Sequence, residues 1–277
     1  MGKLIAFWSP FHGQAKTTAS MAAVAMALSN VTGDSVAMFH TQSGMADLEG
    51  MFDNRMDNEK RVQLYEGAGL NSLLLEFKRT ELTNEIVVRS ALPVAGIDNL
   101  VFLPGLEMDE TLAKMDDVRE IMHTLAVRDI PKAFDWTLVD LSSGNNSLSK
   151  SIMDKADVLV ITLSQNVATW DIIFEEHEEL AEKANTFFLF GGHKKESSYG
   201  VRNFRRMKHV NKKNSGVIPD SVGYMDDISR GTVASFYLKN EKAGKNDENG
   251  TFIQECKDAA LKIRALAYGE VKGEVEE

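Results

Sequence analysis

Short apolar runs alternate with longer helix-like segments along this chain, and that alternation limits its fold more than any other feature. Strand-like runs occupy residues 3–8 ("KLIAFW"), 35–40, 99–103 ("NLVFL", closed by Pro104-Gly105), 136–141 ("WTLVDL"), 157–163 ("DVLVITL"), 186–192 ("TFFLFGG") and 215–219 ("SGVIP"). Helical patterning covers 16–29, stretches near 70–78 and 82–91, then 109–127, 147–156, 168–184, 200–211 and 251–268. In 109–127 the apolar positions Leu112, Met115, Val118, Met122 and Leu125 recur at spacings of three and four. The run 157–163 is apolar on both faces, as in a strand covered on both sides. Strands that alternate with helices predict an α/β fold, a doubly wound and mainly parallel sheet. The turn-rich stretches 41–58 and 240–250 read as loops, residues 1–268 as a single domain, and the acidic 269–277 as a disordered tail.

Composition removes several function classes. No apolar run is long enough for a transmembrane helix, and the first residues lack the pattern of a signal peptide. Cys256 is the single cysteine, so intramolecular disulfides, an iron–sulfur cluster and a Cys-rich zinc site within one chain are excluded. A cytoplasmic location is the expectation. The net charge of −10 repels nucleic acid and anionic lipid, so any such contact needs a local basic patch.

The first strand-like run leads into Ser9-Pro10-Phe11-His12-Gly13-Gln14-Ala15-Lys16-Thr17-Thr18 and then into an Ala-rich helix. Strand, loop, Lys-Thr-Thr and helix in that order suit phosphate binding, with loop amides and a helix N-terminus aimed at the anion. Lys16 is the candidate for the β/γ-phosphates and Thr17 for Mg2+, with Thr18 beside it at the helix start. Asp140, which ends "WTLVD", is the candidate second Mg2+ ligand. Read alone, the tripeptide is equally a surface lysine and two helix-start threonines; the flanking elements favour the phosphate loop.

These segments resemble the ParA/MinD group of deviant-loop ATPases, which includes partition ATPases, division-site selectors and the pilus-localising TadZ proteins. The group's loop, Lys-Gly-Gly-x-Gly-Lys-Thr-Thr, is matched by Phe11 through Thr18. "FDWTLVDLSSG" (134–144), "NLVFLPG" (99–105), "DVLVITLSQNVAT" (157–169) and "VIPDSVGYMDDISRG" (217–231) are similar to later motifs of the group, in the same order. The resemblance implies a P-loop NTPase fold binding ATP and Mg2+. Gly13, Gln14, Ala15, Lys16, Thr17 and Thr18 would cradle the phosphates, and Pro219 would lie against the base. It also implies a homodimer that switches partners or surfaces. Phe11 replaces the lysine that crosses the group's dimer, His12 and Ala15 replace glycines, and the second strand ends in His40-Thr41-Gln42 where the group has carboxylates. Asp47 lies near, in a different register. Weak or absent hydrolysis is expected from these departures, with His40 and His12 either substitute bases or hydrogen-bonding bystanders.

The segment 193–213 holds Lys194, Lys195, Arg202, Arg205, Arg206, Lys208, Lys212 and Lys213 against one acid, Glu196. On the 200–211 helix, Val201, Phe204 and Met207 are expected to face the core, while Arg202, Arg205, Arg206 and Lys208 project. That surface is either a solvated helix face or a site for an anionic partner, DNA backbone or protein. The acidic C-terminus argues against direct membrane insertion. Two roles remain: a nucleotide-dependent positioning or partition factor that binds DNA non-specifically, or a non-hydrolysing scaffold that recruits a pilus, secretion or conjugation machine.

Overall fold

The structure, a computed structural model, describes residues 1–42, 47–53, 65, 67–106, 117–244 and 247–270. Its strands are β1 (Lys3–Trp8), β2 (Val36–His40), β3 (Leu92–Val94), β4 (Ile97–Phe102), β5 (Trp136–Asp140), β6 (Val158–Leu163), β7 (Thr186–His193) and β8 (Ser215–Pro219). They form one eight-stranded sheet in the order β3-β4-β2-β5-β1-β6-β7-β8. All pairings are parallel except that of β3 with β4. The chain moves to one side of β1 first and to the other side later, which places a crevice at the carboxyl edge around β5, β1 and β6.

Period-two alternation divides the core between the two faces. Ile5, Phe7, Val36, Met38, Trp136, Leu138, Val158 and Val160 face the helix Thr17–Thr32, with the C-terminal helix Glu248–Ala267 on the same side. Leu4, Ala6, Trp8, Ala37, Phe39, Val139 and Ile161 face the opposite layer, which includes the helices Gly69–Arg79, Val167–Glu176 and Val201–Lys208. Helix Thr17–Thr32 is buried continuously from Ser20 to Ser29, so its small, apolar sequence is a packing requirement and shows little amphipathic periodicity. Cys256 is packed in the same layer, where burial pushes its thiol well up, the state of an inert structural cysteine.

The structure corrects the sequence reading in several places. Part of 41–58 is a short helix, Asp47–Phe52. β3 escapes the pattern because it is a three-residue edge strand containing Pro93. Within 109–127, Leu112 and Met115 lie outside the described residues; from Val118 the helix passes through a π-helical turn, Leu125–Asp129, into Ile130–Ala133. The 168–184 helix breaks at His177. Two helices that the pattern did not reveal, Val222–Arg230 and Val233–Asn240, follow β8, separated at Gly231. Most of the acidic tail lies outside the described residues. Among those described, no helix is long and apolar enough to cross a membrane.

Candidate functional site

Three strands deliver polar side chains to the same edge of the same face. His40 continues the row of Val36 and Met38, Asp140 that of Trp136 and Leu138, and Thr162 that of Val158 and Val160. The first turn of helix Thr17–Thr32 sits over them. Thr18 Oγ1 donates to Asp140 Oδ2 at 2.5 Å, and Gln42 Nε2 donates to the same oxygen at 3.4 Å. Thr17 Oγ1 pairs instead with Thr162 Oγ1 at 2.7 Å, and Thr162 is anchored to the Trp8 carbonyl. The expected meeting of Thr17 with Asp140 is therefore replaced by one of Thr18 with Asp140.

The backbone at Lys16 accounts for this register. Lys16 is the N-cap and lies in the left-handed region, φ 50° and ψ 43°, without a side-chain cap. Gly13 also has positive φ, whereas His12 and Ala15, which occupy the glycine positions, do not. The left-handed cost of about 1–2 kcal/mol thus falls on Lys16 and not on those two residues. Such strain concentrates at functional loops.

The same twist sends the Lys16 side chain away from the loop. Its Nζ lies 2.7 Å from Asp220 Oδ1, just after β8, while Lys194 Nζ lies 3.7 Å from the other oxygen. The Lys16 hydrogen bond holds the Asp220 carboxyl below its ordinary value against the opposing effect of burial. The side chain crosses Gly192, where a Cβ would lie 2.9 Å from Lys16 Nζ; any larger residue would displace it. Lys16, Ser20, Pro219, Asp220, Tyr224 and Met225 line one shallow recess, and Phe11, Gln14, Ala15 and Thr162 line another on the far side of the loop. Pro219 lines the first recess, with Asp220 beside it.

Asp140 has no exposed surface, and its Oδ1 is buried without a hydrogen-bond partner. Burial pushes its carboxyl up to about 6, opposed by the Thr18 hydrogen bond and by His40 and His12. An orphaned carboxylate oxygen beside a threonine hydroxyl is a hard-oxygen donor set that fits Mg2+. Asp140 and Thr18 would hold the ion, which when bound supplies charge neutralisation at the phosphates. The uncapped start of a 16-residue helix suits the phosphates themselves.

The basic segment is less free than its composition suggests. Arg205 Nε donates to Ser215 Oγ at 2.6 Å, and burial lowers its guanidinium, opposed by Asp258 and Glu255. Lys208 Nζ pairs with Asp171 Oδ1 at 2.7 Å above the Phe174 ring, and Met207 is exposed instead of packed. Lys195, Arg202, Arg206, Lys212 and Lys213 remain exposed, and Lys194 is exposed while it leans on Asp220. The reading missed Asp220, Thr162 and Glu49. Thr162 alone left a local signal, as the polar residue of an otherwise apolar strand.

A mainly parallel sheet with a strand–loop–helix turn at its carboxyl edge defines an α/β fold of the P-loop type. The particular fold is that of the ParA/MinD ATPases. A ParA family ATPase from Chlorobium tepidum superposes with a TM-score of 0.69 at 13% identity, over 94% of this chain and 99% of that one. The septum site-determining protein MinD from Pyrococcus horikoshii, complexed with Mg-ADP, gives 0.66 at 18% identity, over 99% and 100%. A plasmid partition protein from Borrelia burgdorferi bound to AMPPNP gives 0.63 at 13%, over 95% and 99%. No protein-family model matches the sequence. No curated protein matches it.

Proposed function

We propose that this chain is a nucleotide-binding switch that takes ATP with Mg2+, hydrolyses it weakly at most, and uses the bound state to position DNA or a protein complex. The observation that carries the reading is the meeting of Thr18 with the buried, half-unpartnered Asp140 under an uncapped helix start. The fold neighbours that hold Mg-ADP and AMPPNP support the choice of ligand. Phe11, with no cation to reach across a dimer, supports weak turnover. Calorimetric titration with ATP, with and without Mg2+, while phosphate release is followed in the same sample, tests the reading. Mg2+-dependent binding with turnover well under ~1 per second is expected, against the ~10 per second of a median enzyme. No binding would leave a relict site and the scaffold reading.

Homodimerisation and DNA contact belong to the same proposal. Arg202, Arg206 and Lys212 are exposed and carry no salt bridge among the described residues. Changing all three to Glu is expected to weaken DNA retention strongly, to leave ATP affinity unchanged, and to remove about 3 from the slope of log affinity against log salt where binding remains measurable, at ~0.9 per phosphate contact. Arg205 is not part of this set, because its loss would break a tie to β8. If the unaltered protein does not retain DNA at low salt, the patch is a docking surface for an acidic protein, which favours the scaffold.

A further inference from the structure

The layer that covers β6 and β7 on the face away from Asp140 carries charges of both signs that find no partner. The basic helix Val201–Lys208 and the turn Lys212–Asn214 present Arg202, Arg206, Lys212 and Lys213 to solvent. Beside them, the helices Val167–Glu176 and Glu178–Ala181 make an acidic corner of Glu175, Glu176, Glu178, Glu179 and Glu182. None of these side chains makes an ion pair among the described residues. Both faces are fixed in place. Phe204 is fully buried under the basic helix, with its ring centroid 5.4 Å from that of Trp170 and 6.0 Å from that of Phe174. Lys208 ties the same helix to Asp171 at 2.7 Å. The acidic corner is held by the His177 ring, edge-on to Trp8 at 5.1 Å, and by the buried Leu180. Met207, 45% exposed, gives the basic helix an apolar spot that packing within the chain does not cover. Opposite charges are thus sorted onto neighbouring rigid faces. A twofold axis needs that arrangement, because each copy then supplies both halves of the contact.

We propose that this face joins two copies of the chain: the basic helix of each copy receives the acidic corner of the other around a twofold axis. Each copy carries −10, so two copies repel as whole bodies and only local complementarity can draw them together. Exposed pairs contribute little one by one, which makes the dimer weak, but the helices are preformed and little is lost in ordering them. The response to salt separates this contact from others. Screening strengthens an apolar contact between bodies of like charge, and it weakens one between opposed charges. The basic helix is also the surface assigned to DNA above, so duplex and second copy exclude each other. The dimer does not rest on the ATP reading.

The test is analytical ultracentrifugation of the full chain without nucleotide. A reversible monomer–dimer equilibrium is expected at ~0.05 M salt, with the dissociation constant rising ~10-fold or more at ~0.5 M. Glu175→Lys with Glu179→Lys reverses the corner, and Arg202→Glu with Arg206→Glu reverses the helix. Each double variant is expected to be monomeric at low salt. Mixed in equal amounts, they are expected to form a heterodimer within ~10-fold of the affinity of the unaltered chain, because one half of the contact keeps its charges and the other has both signs exchanged. Thermal melts check that the variants fold. If a reversal does not, Glu175→Gln with Glu179→Gln is expected to weaken the dimer ~3-fold or more and decides in its place. A chain that stays monomeric at low salt and ~100 μM, well above a micromolar dissociation constant, overturns the proposal. So does association that strengthens with salt, a reversed variant that still pairs with itself, a mixture that stays monomeric, or a dimer that appears only with ATP and Mg2+. That last result would support the nucleotide switch, while absence of ATP binding would leave this dimer standing, so the two readings fail separately.

Discussion

Asp140→Asn is expected to stabilise the nucleotide-free protein at neutral pH while removing its response to Mg2+. The Asp140 carboxyl is buried, and burial lifts it from 3.8 to about 6. A group raised in the folded state favours folding most when protonated. Its contribution is fully present below about 3.8 and is lost as pH rises through about 6. Above that window the folded chain carries the cost of a desolvated charge, about 3 kcal/mol at ~1.4 kcal/mol per unit. Asn removes the charge at nearly the same volume and keeps an oxygen for Thr18. At pH 8 the variant should melt roughly 6–12 °C higher, at ~2–4 °C per kcal/mol for a chain of this size. At pH 4 the two proteins should melt together. Added ATP and Mg2+ should raise the melting temperature of the unaltered protein and not that of the variant. A variant less stable at pH 8 would mean that Asp140 is held by a positive partner, not strained by burial.

What the sequence made legible is what adjacent residues determine. Lys16, Thr17, Thr18 and the end of β5 at Asp140 could be placed because strand, loop and helix follow one another in order. The choice between Thr17 and Thr18 was not legible, because both carry a hydroxyl and the left-handed turn at Lys16 decides which one reaches Asp140. That turn is tied to Asp220, 204 residues away, and no local pattern reports a contact so distant. Glu49 was hidden in a segment of turn residues, and its six-residue helix is too short for a periodic signal. The basic helix failed for a geometric reason. At ~100° per residue, Met207 is rotated about 120° from Val201, whereas Lys208 returns to within about 20° of it. Lys208 therefore sets its ammonium over the Phe174 ring, while Met207 turns to solvent.

Lys16→Ala and Asp220→Asn are expected to move ATP affinity in opposite directions, and the double variant to behave as Lys16→Ala. In the structure the Lys16 ammonium is occupied by Asp220 at 2.7 Å, with both side chains about a third exposed. An ion pair so exposed contributes about 0–1 kcal/mol, so releasing Lys16 costs the nucleotide at most about fivefold in affinity. Once released, Lys16 stands at the start of the helix beside the triphosphate, where a charge-assisted bond is worth up to about 3 kcal/mol. Lys16→Ala should therefore weaken ATP binding by roughly 100-fold. Asp220→Asn should strengthen it by about two- to fivefold, because a neutral amide cannot hold the ammonium. With Lys16 absent, Asp220 holds only the exposed Lys194 at 3.7 Å, and the double variant should match Lys16→Ala within about twofold. Calorimetry on the four proteins at one salt concentration measures all three differences. A loss of affinity in Asp220→Asn that persists when Lys16 is alanine would place Asp220 on the nucleotide itself, next to Pro219, and would end the account of this ion pair as a competitor for the phosphates.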